Sequence, residues 1–268
     1  VTWLAASALV VYLGLGWHFC RSRLSAASAP RPGLEQGLLL LALALHGLSL
    51  WPHLAQSPLR FGAAEALSLT AWLALLLYLV GHLAYRLEGL QPILLVIVSA
   101  MLGLSLLLPP GHALTYPQSA VSRLHFLTAM LAYGLFANAA GTAILMRLAD
   151  RRLHHADAHV LIRQLPPLLA LERLLFASVG FGFAMLTVAL ATGAVFAEHI
   201  YGHAPGLGHK IVFSLTAWLC FAVLLVGRYR LGWRGRIAAR FTLGGCVLLL
   251  LGYAGTRFVA EAVLRHAG

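Results

Sequence analysis

Charge is what this sequence has least of. Only 10% of its 268 residues are Asp, Glu, Lys or Arg, and just 8 are acidic. A soluble domain carries about 25% charged residues, so this chain lacks the polar surface to cover itself in water. Aspartate is missing from every long apolar run, and no paired carboxylates suggest acid–base chemistry. Cysteine is equally scarce. Cys20, Cys220 and Cys246 each fall in or beside an apolar run, with no CxxC or CxxCH spacing. That excludes a zinc ribbon and covalent c-type haem attachment, and leaves the thiols as small packing groups. HExxH, a Gly-rich phosphate loop and a GxSxG elbow are also absent. No stand-alone enzyme is expected.

Hydrophobic residues make up 60% of the chain. They gather in Leu- and Ala-rich runs long enough, as helices, to cross a ~30 Å hydrocarbon core. The runs show no period-2 alternation, which excludes a transmembrane β-barrel. The expected fold is all-α: a polytopic membrane bundle with spans near 3–20, 34–54, 62–85, 91–108, 122–147, 173–197, 210–228 and 239–264. Residues 1–268 read as one integral membrane domain, and 150–163 as a His-rich stretch able to lie at the interface. Small residues recur at four-residue spacing, as in Ala137 with Gly141 and Ser178 with Gly182, which suits close helix packing.

Basic residues divide by side. One set of gaps collects the arginines around 21–31, 86, 147–173 and 228–240. The other holds only Arg60, Arg123, Lys210, Arg257 and Arg265. The positive-inside rule puts the first set in the cytoplasm, giving eight spans with both termini outside, in a bacterial inner membrane. Arg21 and Arg23 follow the first apolar run rather than preceding it, the reverse of a secretory signal. That run is expected to stay as the first span. The net charge of +11 therefore reports topology and attraction to anionic lipid, and no nucleic-acid partner is expected. A cysteine placed at Ala204 should react with a membrane-impermeant maleimide in intact cells, and one at Ala156 only after permeabilisation. The reverse pattern would invert the topology.

Histidine is the informative residue. On the charge topology, His46, His53, His112, His125, His199, His203, His209 and His266 lie towards the outer side, and His18, His82, His154, His155 and His159 towards the cytoplasm. His46, His125 and His209 sit on three different spans at comparable depth. Imidazoles so placed suit the two faces of a haem, or another metal; the alternative is interface anchoring and interhelical hydrogen bonding. Glu65, Arg257 and Glu261 are ionisable groups within spans, where burial is costly and a partner is needed. Arg257 suits Glu261, Glu65 or a ligand carboxylate. Arg123 and Arg60 lie near the same surface, and arginine forks match the propionates of haem. Asp150, Glu88 and Glu172 fall at cytoplasmic edges, where capping or arginine pairing accounts for them.

Four segments carry a family resemblance: HFLTAMLAYGLFANAAGTAILM (125–146), PPLLALERLLF (166–176), GHKIVFSLTAWLCFAVLLVGRYRLGWRGR (208–236) and LGYAGTRFVAEAVL (251–264). The chain resembles the cytochrome c assembly (CcsA-type) family, in its YpjD/HemX-like branch of inner-membrane proteins. Length and span count agree throughout, and the specific motifs lie mainly in the second half. The resemblance implies a haem-handling bundle, with haem, of the non-covalent b type, as cofactor. His125 falls at the first outer histidine of the synthases, and His266 about two residues from the second. Val226 stands at an intramembrane histidine, and the loop 198–208 has none of the tryptophans of the synthases' outer loop. A complete synthase is therefore not expected. The candidate haem-site residues are His125, His209, His46, His266, Arg123, Arg257 and Glu65, with the first three as iron ligands. The competing expectation is a non-haem accessory or regulatory subunit of another inner-membrane complex, such as a divalent-cation transporter or the haem-synthesis pathway.

Overall fold

The computed structural model describes residues 2–24, 31–55, 62–84, 88–109, 120–152, 168–201 and 209–264. Eight α-helices run through them: α1 (Thr2–Phe19), α2 (Pro32–Ala55), α3 (Ala63–Ala84), α4 (Gln91–Leu107), α5 (Ala120–Arg152), α6 (Leu168–Tyr201), α7 (His209–Leu231) and α8 (Gly235–Leu264). Seven are long and apolar enough to cross a membrane. The eighth, α4, has 17 residues, the short end of the roughly 17 to 25 that suffice. It starts with a 3-10 turn, Glu88–Leu90, and places Pro92 in its first turn, where a missing N–H costs nothing. The fold is an all-helical polytopic bundle, and no strand occurs among the described residues.

Two helices overrun their expected spans. α5 has 33 residues and α6 has 34, about 50 Å each at 1.5 Å per residue. Apolar patterning marks only the part inside the hydrocarbon. The helices continue through the headgroup zone, where Arg, Asp and Glu are solvated or paired and the backbone still bonds to itself. α5 holds 150–152 of the proposed interfacial stretch; 153–167 lie outside the described residues.

α5 is the hub, packing on α3, α4, α6 and α8, while α1 lies against α2 and α4, and α7 against α6 and α8. Small residues bring these axes together. Ala139, Ala143, Ala217 and Ala238 are fully buried. A Cβ at Gly182 would stand 3.0 Å from the ring of Phe136, so its absence seats that ring, which stacks on Phe221 of α7 at 4.1 Å. Large side chains instead line the outside: Trp3, Leu83 and Leu107 are each more than four-fifths exposed. In water that surface would aggregate; in a bilayer it meets acyl chains.

Most buried polar groups among the described residues find partners within the bundle, as a medium without water demands, although Ser99 Oγ and Thr242 Oγ1 do not. Thr128, Thr142 and Thr187 donate to carbonyls one turn back. Asn138 of α5 donates to Ala74 O of α3 at 2.8 Å, and Trp72 of α3 to Leu43 O of α2 at 2.9 Å. These bonds set which faces meet where shape alone would permit sliding.

Candidate functional site

The arginine-rich end of the bundle is held by ion pairs. Arg228 of α7 donates to Glu172 Oε1 of α6 at 2.5 Å, and Arg234 lies 3.4 Å from the same oxygen. Arg236 meets Asp150 of α5 at 2.6 Å. Glu172 and Asp150 are thus paired with arginines, as their edge positions suggested. The GWRGR turn between α7 and α8 bends through positive φ at Gly232 (66°) and Gly235 (54°), conformations that favour glycine. It folds Trp233 back over Gly227, whose missing Cβ leaves room for the indole, and Trp233 N donates to Gly227 O. The distinctive sequence there is a structural clamp.

His46 is fully buried on α2. Its Nε2 lies 2.9 Å from Ser68 Oγ of α3, and its Nδ1 3.4 Å from the Tyr12 hydroxyl of α1. Hydroxyls donate or accept, so either neutral tautomer is satisfied. The imidazole ties three helices together. Replacing it by alanine orphans Tyr12, because Ser68 can turn to its own helix. The expected loss is about 2 kcal/mol from the unmet hydroxyl and the cavity, read as earlier thermal unfolding in detergent. An unchanged melting point would deny His46 this role.

Glu65 is buried at the start of α3, and its Oε2 accepts the Gly62 N–H at 2.8 Å. A carboxylate there closes the helix and meets its positive end.

His125 stands near the start of α5, at the end away from the arginine clamp. Its Nδ1 lies 2.8 Å from Ala189 O of α6. A carbonyl only accepts, so Nδ1 donates, and in the neutral ring Nε2 carries the lone pair. The ring lies against Gly193, where a Cβ would stand 2.9 Å from its Cε1; the bare glycine makes the slot. The carbonyl of Lys210, second residue of α7, approaches Gly252 of α8. Here the start of α5 packs on α6, and the start of α7 on α8. Arg123 is exposed two residues before it.

His46 and His125 face different neighbours, α1 and α3 for one and α6 for the other, so the structure does not bring these two imidazoles together. His209 opens α7 beside Lys210, but its side chain, like those of His199, Arg257 and Glu261, lies outside what is described, and His266, His112, Arg60 and His203 lie outside the described residues altogether. Among the described residues no group of three His, Cys, Asp or Glu side chains is placed to hold a metal ion. A haem asks less of the protein: one or two imidazoles and an apolar slot.

Sequence reasoning missed several partners. Glu35, buried near the start of α2, binds His18 Nε2 of α1 at 2.8 Å. Its place four residues after Arg31 was the available sign of a helix-start acid. Tyr12, Ser68 and Gly193 gave none: their roles depend on which helix lies opposite.

The family described as Cytochrome C assembly protein matches residues 33–264. The inner membrane protein YpjD of Escherichia coli (strain K12) is 36% identical over 101 residues, 38% of this chain and 38% of that protein. An uncharacterized 28.8 kDa protein in the nifR3-like 5' region of Azospirillum brasilense is 30% identical over 220 residues, 81% of this chain and 76% of that one. The cytochrome c biogenesis protein CcsA of Gloeobacter violaceus is 33% identical over 93 residues, 35% of this chain and 28% of that protein. The alignments thus span well under half of the YpjD and CcsA relatives and most of the Azospirillum one.

Proposed function

Since the chain belongs to the cytochrome c assembly protein family, we propose that it handles haem at the end of the bundle where His125 lies, on the outer side of a bacterial inner membrane. The observation that carries this reading is the hydrogen bond from His125 Nδ1 to Ala189 O. Metal-ligating histidines commonly donate their other nitrogen to a carbonyl or carboxylate, which fixes the ring and leaves the second nitrogen basic. His125 has that arrangement, and is half-buried rather than sealed in.

His125 and His209 would each offer an imidazole nitrogen to the iron, and Arg123 and Arg257 would take the propionates, with His266 a further candidate. His46 is the weaker ligand, because it would have to release Tyr12 or Ser68, and Glu65 serves as a helix cap. Bound haem of the b type would supply an iron centre for transfer or for electron exchange; the chain's own part is to hold the ring, exclude water and orient the carboxylates. The loop 198–208 has no tryptophan, so the role proposed is holding or passing haem, without joining it to an apocytochrome. The closed Tyr12–His46–Ser68 contact favours a second reading, that of a non-haem accessory or regulatory subunit in an inner-membrane complex.

An absorption spectrum of the detergent-purified protein, before and after adding haem, separates them. A sharp Soret band that shifts on reduction supports haem handling. No band even with haem added, together with one stoichiometric partner protein, supports the accessory role.

A further inference from the structure

A cleft of about 570 Å³ opens between α1 and α2, within the ~300–1,000 Å³ typical of small-ligand sites. Its walls are apolar: Val11 and Leu15 on α1, Leu34 and Leu38 on α2. Gly14 forms part of the lining, and a Cβ there would meet nothing within 4 Å. His18, Arg31 and Glu35 gather at the arginine-rich end.

The charged groups there are not paired with each other side chain to side chain. The Glu35 carboxylate is buried and accepts from His18 Nε2 at 2.8 Å and from the Arg31 backbone N–H at 2.8 Å. Protein groups thus occupy it. Among the described residues nothing pairs the exposed Arg31 guanidinium. Among the described residues the cleft is an apolar slot with an unpaired guanidinium at its polar end, in a chain that spans a membrane. An amphiphile with a negative head and a hydrocarbon tail complements both parts.

We propose that this cleft binds one anionic phospholipid, its phosphate on Arg31 and an acyl chain laid between α1 and α2. Guanidinium and phosphate form charge-assisted, often bidentate hydrogen bonds. A zwitterionic lipid fits less well. Its own ammonium competes for the phosphate, and the one carboxylate at hand is already engaged by His18. Basic pockets between helices on the cytoplasmic side are a general means of holding acidic headgroups. The site lies at the opposite end of the bundle from His125 and does not depend on haem.

Native mass spectrometry of the purified full chain tests this, with added phosphatidylglycerol, phosphatidylcholine or inorganic phosphate. Phosphatidylglycerol should bind one to one and raise the melting temperature more than phosphatidylcholine. Arg31→Gln should weaken that binding roughly tenfold, the loss of one hydrogen bond to a charged group. Gly14→Leu, which fills open space, should abolish it while leaving the unliganded melting point near wild type. Equal binding of the two lipids, full competition by inorganic phosphate, or wild-type binding by both variants would overturn the proposal. If neither variant folds, the wild-type comparison of the two lipids decides it.

Discussion

Replacing His125 by alanine should remove the sharp Soret band of the haem-loaded protein and weaken haem retention by at least tenfold. The imidazole is pinned by Ala189 O at 2.8 Å and set against bare Gly193, so loss of the ring leaves a gap that no neighbouring ligand can fill. Added imidazole should diffuse into that gap and restore part of the spectrum. Gly193→Val tests the positioning separately. Its side chain would collide with the ring, so the histidine would remain while its aim was lost. Supporting groups of this kind typically cost 10- to 100-fold in metal affinity. Gly193→Val should therefore broaden the band rather than erase it, and His155→Ala, on the arginine-rich side, should change nothing. An unchanged spectrum and affinity in His125→Ala would sink the axial-ligand assignment.

The second large effect is expected at the arginine clamp. Glu172→Leu removes the carboxylate shared by Arg228 and Arg234. Among the described residues Arg228 then keeps its contact over the Phe176 ring, 4.6 Å from the centroid. Breaking a buried pair by deleting one partner costs about 3–5 kcal/mol. The Arg228 side chain keeps 23% of its surface, so solvent can rescue part of the charge, and roughly 2–3 kcal/mol is expected here. Thermal unfolding in detergent measures it. Glu172→Gln should fall between, keeping a hydrogen bond and losing the charge. The double variant Glu172→Leu/Arg228→Leu should recover much of the loss, because apolar residues of similar size often replace a buried pair without cost. If Glu172→Leu melts like wild type, the clamp contributes no stability, and α6 and α7 are joined by packing alone.

Much of the architecture was legible because the membrane makes sequence rules strict. The eight apolar runs became eight helices, since a chain in hydrocarbon must satisfy its own N–H and C=O groups locally. Ser178 and Gly182 marked a close contact, and Phe136 does sit on Gly182. Asp150 and Glu172, placed at edges by their charge, do meet arginines. Helix ends were less legible. α5 and α6 continue past the hydrocarbon, and hydropathy is blind to a helix that keeps its hydrogen bonds in the headgroup zone.

The site divides along the same line. The sequence by itself determined which residue types were available: histidines towards one end, arginines towards the other, and almost no acid to neutralise them. Those follow from composition and from the charge asymmetry across a bilayer. Only the tertiary structure decided what each histidine does. His46 and His125 had comparable depth, and both were candidate iron ligands. Yet one lies between Tyr12 and Ser68, and the other donates from Nδ1 to the Ala189 carbonyl. The same holds for His18, placed by sequence only on the cytoplasmic side, which meets Glu35 of α2. A helix's own sequence sets the depth of a side chain. The partner it meets depends on the neighbouring helix and its rotation, which no single span encodes.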